Sequence, residues 1–161
     1  MVLSAGLLPF QWIEGDLHVF LTHMGGPFWE HKDEGAWSIA KGEYDPAEEA
    51  PADVARREFT EELGIPAPAG ELIELGSVRV HKGKTVQTFA VEVSCETAAG
   101  LRFLASNTFT MEWPRGSGRL GEFPECDGAA WFDLPTARAK VMPSQLPILA
   151  ALVSACDAAG Q

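Results

Sequence analysis

The stretch "RREFTEELGI", Arg56 to Ile65, decides how this chain is read. It lies in a segment with the marks of a helix. Pro51 suits a first helical turn, where its missing N–H has no intrahelical partner, and Gly64 with Pro66 ends the run. These signals predict a helix from Pro51 to Leu63. At about 100° per residue, Ala52, Phe59 and Leu63 share one arc, expected to face a core, and Glu58, Glu61 and Glu62 share the adjacent one. Carboxylates at i, i+3 and i+4 meet on one helix face and repel unless a cation sits among them. Hard divalent ions take oxygen ligands, and magnesium is held by a few carboxylates with substrate phosphates and water. On residue type alone, a solvated acidic face and a magnesium site both fit.

Around the helix the chain reads as strands. "AGLLPF" (5–10) and "DLHVFLTH" (16–23) flank turn chemistry and predict a hairpin. "MGGPFWEHKDEGAW" (24–37) reads as a loop, "WSIA" (37–40) as a short strand and 41–50 as a second loop. Past the helix, "ELIELGSVRV" and "TVQTFAVEV" predict a second hairpin, with Lys82 and Lys84 as solubilising residues at its tip. "NTFTMEW" reads as a strand, "PRGSGRLGEFPECD" (114–127) as a long polar loop and "AAWFDL" as a last strand. A short helical turn, a break at Pro143 and a closing helix with Leu146, Leu149, Ala150 and Val153 at helical spacing complete the chain. The expected class is α+β: one domain over residues 1–161, an α/β/α sandwich with a mixed β-sheet.

Composition narrows the partners. A net charge of −11 with no Lys/Arg run argues against duplex nucleic acid, while a polyanionic small molecule remains compatible if a divalent cation reverses the local field. Cys95, Cys126 and Cys156 are odd in number and widely spaced, so reduced thiols are expected. No apolar run approaches the ~20 residues of a membrane span, and no basic leader precedes "MVLSAGLLPF". The expectations are a cytoplasmic protein with no membrane partner, either a monomer or a homodimer.

Gly42, Glu49, Arg57, Glu58, Phe59, Glu61, Glu62, Gly64 and Ile65 together resemble the signature of the Nudix hydrolase family. Six residues separate Gly42 from Glu49, one more than the family's usual spacing. Aligning Glu48 instead would restore that gap but lengthen the next, and an extra residue in the loop "EYDPAE" costs little. The resemblance implies a catalytic loop–helix–loop and magnesium, with manganese as a possible substitute. It also implies hydrolysis of a nucleoside diphosphate linked to X by water attack on phosphorus. Glu58, Glu61 and Glu62 correspond to the metal ligands, Glu61 or Glu62 to the group that activates water, Arg57 and Glu49 to a structural ion pair, and a backbone carbonyl near Lys41 or Gly42 to a further ligand. The alternative is a nucleotide-sensing or protein-binding module on the same scaffold. Such modules commonly lose helix glutamates, and here all are present.

Glu125, in the loop before the last strand, is a further candidate metal ligand or general base, with Asp127 as its competitor. Trp37, Lys41 and Gly42 resemble the loop of the diadenosine tetraphosphate and diphosphoinositol polyphosphate branches, although Ala40 replaces a proline of that pattern. Lys41 is therefore a candidate phosphate contact. Arg115 and Arg119, in a Gly-rich loop, are candidates to fold over a polyphosphate. Trp29, Trp113 and Tyr44 have the surface to stack on a base, as they have to fill a core. His18, His23, His31 and His81 show no shared spacing that favours a zinc site.

Overall fold

The computed structural model describes residues 2–81 and 83–160, so Lys82 lies outside the described residues. Strand β1 (Val2–Ile13) is the axis of the sheet. It turns at Glu14 and Gly15, at φ 51° and 85°, into β2 (Asp16–Met24). Two successive positive-φ residues match the twist of a two-residue hairpin, which sets the register Ile13↔Asp16. Next come β3 (Trp37–Ser38), on β2, and β4 (Ala40–Glu43), which pairs antiparallel with β1 from Ser4↔Glu43 to Leu7↔Ala40.

Residues 41–43, expected in a loop, are thus strand. Gly6 is the reason this pairing closes: a Cβ there would sit 2.6 Å from Ile39 Cδ1 and 2.9 Å from the Ala40 carbonyl oxygen. Gly6→Ala is expected to destabilise the protein by about 1–3 kcal/mol, as overpacking against backbone does, measured as a fall in thermal midpoint. An unchanged midpoint would show that β4 can step aside.

The second hairpin is β5 (Ile73–His81) and β6 (Lys84–Glu92). β6 runs parallel to β1 from Val2↔Lys84 to Phe10↔Glu92, which makes the sheet mixed. β9 (Cys126–Asp133) pairs with β2. Helix α1 (Pro51–Leu63) has the expected bounds. Its buried stripe is Val54, Ala55, Phe59 and Leu63, while Ala52 is half-buried. A core-facing helix buries an arc wider than one residue step. The stripe packs with Ala5 and Leu7 of β1 on one face of the sheet. On the other face Leu8 and Phe10 pack with Ile148, Leu149 and Leu152 of α4 (Leu146–Ala159) and Ala137 of α3 (Leu134–Lys140). The alternation along β1 therefore feeds two cores, giving the α/β/α sandwich.

Two elements were hidden in the sequence. Helix α2 (Cys95–Gly100) is short, started by Ser94, whose hydroxyl accepts from the Thr97 N–H. The expected long polar loop at 114–127 contains β8 (Leu120–Pro124), paired with β7 (Thr108–Glu112) as a separate hairpin. Phe109 and Phe123 face each other across it with ring centroids 6.2 Å apart. The Glu112 carboxylate closes the turn by accepting from Gly116 and Gly118 N–H. Its charge and glycine content disguised a strand.

The chain after α2 finishes the C-terminus of α1. Leu104 and Ala105 N–H donate to the Leu63 carbonyl, and Asn107 N–H donates to that of Glu61. These supply partners that the last carbonyls of a helix lack. Gly64, at φ 77°, permits the close approach, because a Cβ would lie 2.8 Å from Ala105 N. Among the described residues no helix is long and apolar enough to cross a membrane.

Candidate active site

The acidic face of α1 opens onto a cavity of about 310 Å³. Glu58, Glu61 and Glu62 line it from the helix, Lys41 and Gly42 from β4, and Glu125 from the turn between β8 and β9. Gly42 lets Glu58 lie against β4: a Cβ at this position would be 2.0 Å from the Glu58 carboxyl carbon.

Arg57 organises the same face. Its Nε and Nη2 donate to the two carboxylate oxygens of Glu49, at 3.0 and 3.1 Å. Its Nη1 donates to Glu58 Oε1 at 3.0 Å and Glu61 Oε2 at 3.1 Å. One planar cation thus spans three carboxylates, which a fixed guanidinium fork allows. Glu48 makes no such contact; its backbone N–H donates to Asp45 O. Among the described residues no three acidic, His or Cys side chains form a ready ligand cluster.

The donor set nonetheless fits a hard divalent cation, since every candidate ligand is oxygen. Electrostatics point the same way. Burial raises the Glu58 pKa, and repulsion from Glu61 adds to it, against the pull of Arg57. Burial pushes Glu62 up to about 8, with Lys41 opposing and Glu58 and Glu125 reinforcing. Burial lowers Lys41, with Glu62 opposing. Lys41 and Glu62 are therefore both pressed toward their neutral forms. The site holds more carboxylate than its own cations neutralise.

Other sequence candidates separate. Glu125 lines the cavity, whereas Asp127 is engaged elsewhere, its Oδ1 2.6 Å from His23 Nδ1. His23 Nε2 lies 2.6 Å from the Lys32 carbonyl oxygen, so this histidine ties the 25–36 loop to β9. Arg115 and Arg119 do not line the carboxylate cavity; both sit at the β7–β8 turn, whose hairpin carries them away from it. Tyr44 is half-buried and packs against the α1-side core. Cys126 is buried, its thiol donates to the Glu62 carbonyl, and burial first, then the Glu62 charge, pushes its pKa up to about 12. It is an inert structural thiol.

Lys84, read from sequence as a solubilising residue at a hairpin tip, lines the carboxylate cavity. The reason is topological: the parallel β1–β6 pair sets Lys84 opposite Val2, beside the Ser4 wall of the site. No local pattern signals a contact made across about 80 residues of chain. Asn107 and Thr22, also on the wall, escaped notice for the same reason.

A family model described as NUDIX domain matches residues 12–152. No curated protein matches the sequence. Among solved structures, the NUDIX domain of Shewanella oneidensis NrtR complexed with ADP ribose is similar at 12% identity, over 97% of this chain and 88% of that one, with a TM-score of 0.62. A C. elegans Ap4A hydrolase binary complex is similar at 19% identity, over 100% of both chains, with a TM-score of 0.58. S. oneidensis NrtR complexed with a 27mer DNA is similar at 13% identity, over 92% of this chain and 59% of that one, with a TM-score of 0.57. At such identities the likeness is one of fold. The last structure corrects the expectation that duplex nucleic acid is excluded, because a protein containing this fold is bound to DNA there. Whole-chain charge averages over patches that differ locally, and so does not decide the class of partner. Matched over residues 12–152 and built around the acidic helix that the signature marks, the chain belongs to the NUDIX domain family.

Proposed function

We propose that the protein is a metal-dependent pyrophosphohydrolase that cleaves a nucleoside diphosphate linked to X, with nucleoside triphosphates and dinucleoside polyphosphates as its substrate class. The observation that carries this is the make-up of one cavity: Glu58, Glu61, Glu62 and Glu125 share it with Lys41 and Lys84. Carboxylates alone would repel a polyphosphate, and lysines alone would bind it without activating water. Together they suit both tasks.

In this reading Glu58, Glu61 and Glu62, with the Gly42 backbone, hold magnesium, and manganese can substitute. Bound there, the ion supplies Lewis-acid stabilisation of phosphate oxygens and a more acidic water. Lys41 and Lys84 bind phosphate oxygens as point charges. Arg57 fixes the Glu58 and Glu61 carboxylates against Glu49. Glu61, Glu62 and Glu125 are the carboxylates placed to take the proton from attacking water, and no protein nucleophile is needed.

The test is phosphate and nucleotide release from nucleoside triphosphates, diadenosine polyphosphates, nucleotide sugars and a diphosphoinositol polyphosphate, with magnesium, with manganese and with chelator. The expected result is cleavage of a nucleotide class that chelation abolishes and either metal restores. Chelator-resistant cleavage would overturn the metal assignment. A folded, magnesium-binding protein inactive on the whole panel would overturn the substrate class.

A further inference from the structure

The turn that carries Glu125 is tied to the last turn of α1 by a compact hydrogen-bond network. We propose that Cys126 and Ser106 are positioning residues, which hold Glu125 in register with Glu61 and Glu62 across the carboxylate cavity. This rests on the hydrolase reading above and adds how a carboxylate supplied from outside the helix is kept in place beside it.

The last four carbonyls of a helix lack intrahelical donors, and in α1 each finds one. Thr60 O accepts from the Gly64 N–H, and Leu63 O from the Leu104 and Ala105 N–H groups. Glu61 O accepts from the Asn107 N–H at 3.0 Å. Glu62 O accepts from the Cys126 thiol at 2.8 Å, so here the donor is a side chain. The latter two carbonyls belong to residues that line the cavity.

Their donors approach Glu125 from both sides. Asn107 O accepts from the Glu125 N–H at 2.8 Å, and Cys126 is the residue that follows Glu125. The Cys126 N–H donates to Ser106 Oγ at 3.2 Å, and that hydroxyl donates onward to Asn107 O. Glu125 O accepts from the Gly25 N–H at 3.0 Å. Both backbone polar groups of Glu125 are therefore held, and two links run back to α1. One passes through Asn107 to Glu61; the other passes through the thiol to Glu62.

The topology explains why side chains are needed. Glu125 stands where β8, of the separate hairpin, gives way to β9, of the main sheet. The register slips at that point: His23 pairs with Gly128 and Met24 with Cys126, which leaves Asp127 as the extra residue of a bulge. Bulges interrupt ladders and re-aim side chains, so strand pairing alone sets the turn loosely. Ser106 and Cys126 supply the missing constraints. The buried thiol acts as a donor and not as a nucleophile. Because a displacement of about 1 Å can cost ~10²-fold in rate, these ties bear on turnover as well as on folding.

Cys126→Ala and Ser106→Ala remove the two ties, Cys126→Ser keeps a donor at the first, and Glu125→Gln removes the carboxylate being placed. With magnesium and a nucleotide that the protein cleaves, each alanine variant should lose about tenfold in kcat with KM within about twofold of the parent. Cys126→Ser should recover most of that loss. Neither alanine substitution should lower kcat further in the Glu125→Gln background, since both act through Glu125. Amide exchange supplies a reading independent of turnover: the Glu125 N–H should exchange about tenfold faster in both alanine variants, while that of Leu8 in β1 keeps the parent rate. Unchanged kcat in either alanine variant, an equal loss with and without Glu125, or a serine variant no better than alanine would overturn the proposal. A parent that cleaves no nucleotide would instead overturn the hydrolase reading. Exchange then decides the tie alone, and unaltered exchange at Glu125 would refute it.

Discussion

Glu62→Gln is expected to lower kcat by ~10²–10⁴-fold, the range for losing a positioned proton acceptor, while raising the thermal midpoint of the metal-free protein at pH 8. The two effects share one cause. Glu62 is half-buried, and the desolvation that goes with it drives its pKa up to about 8. A carboxyl whose pKa is raised by folding binds its proton more tightly in the native than in the unfolded chain. Stability is therefore lost as pH rises from the ordinary carboxylate range toward about 8. Glutamine is neutral throughout and avoids that loss, so its advantage should be small near pH 5 and greatest at pH 8. Lys41 limits the gain, because the substitution removes the charge that opposes its own desolvation. A net stabilisation of about 1 kcal/mol, or roughly 2–4 °C in midpoint, follows for a domain of this size. Thermal scans with chelator at both pH values, beside kcat with magnesium, decide it. Retained activity with a lowered midpoint at pH 8 would show Glu62 to be an ordinary structural carboxylate.

Local signals could be read in the sequence, and contacts made by distant pairing could not. The helix at Pro51–Leu63 was legible because its signals are local: a proline at the start, a glycine at the end and three glutamates at helical spacing. Strand β8 was not, because the glycines and charges of the preceding turn mask a five-residue strand whose stability comes from pairing with β7. Residues 41–43 of β4 were read as loop for a related reason: their place depends on Gly6, more than 30 residues earlier, leaving room on β1. The site divides along the same line. Its acidic face lies on one helix and could be listed from one window, whereas Lys84 and Thr22 arrive by strand pairing. Spacing offered Glu61, four residues on from Arg57 along the helix; what it did not offer is that the same guanidinium would also reach Glu58 and Glu49.

Arg57→Ala should accordingly reduce kcat/KM by ~10–100-fold, as removal of a group that orients metal-binding carboxylates does, with only a modest change in thermal midpoint. The small stability effect follows from exposure: the Arg57 side chain is 37% accessible and Glu49 38%, so solvent screens their attraction. The activity effect follows from geometry. Arg57 fixes Glu49 through two nitrogens and holds Glu58 and Glu61 with the third. Lysine, a single point charge on a flexible stem, cannot span both sides, so Arg57→Lys should recover little. Glu49→Ala leaves the contacts to Glu58 and Glu61 in place and removes only their anchor, so it should cost less than Arg57→Ala. In the double variant the losses should be less than additive, since both substitutions disturb one network. Steady-state kinetics of the four proteins across a magnesium titration supply the test. Recovery by lysine to within twofold of the parent would mean that charge alone is required, and the guanidinium fork would lose its assigned part in positioning the carboxylates.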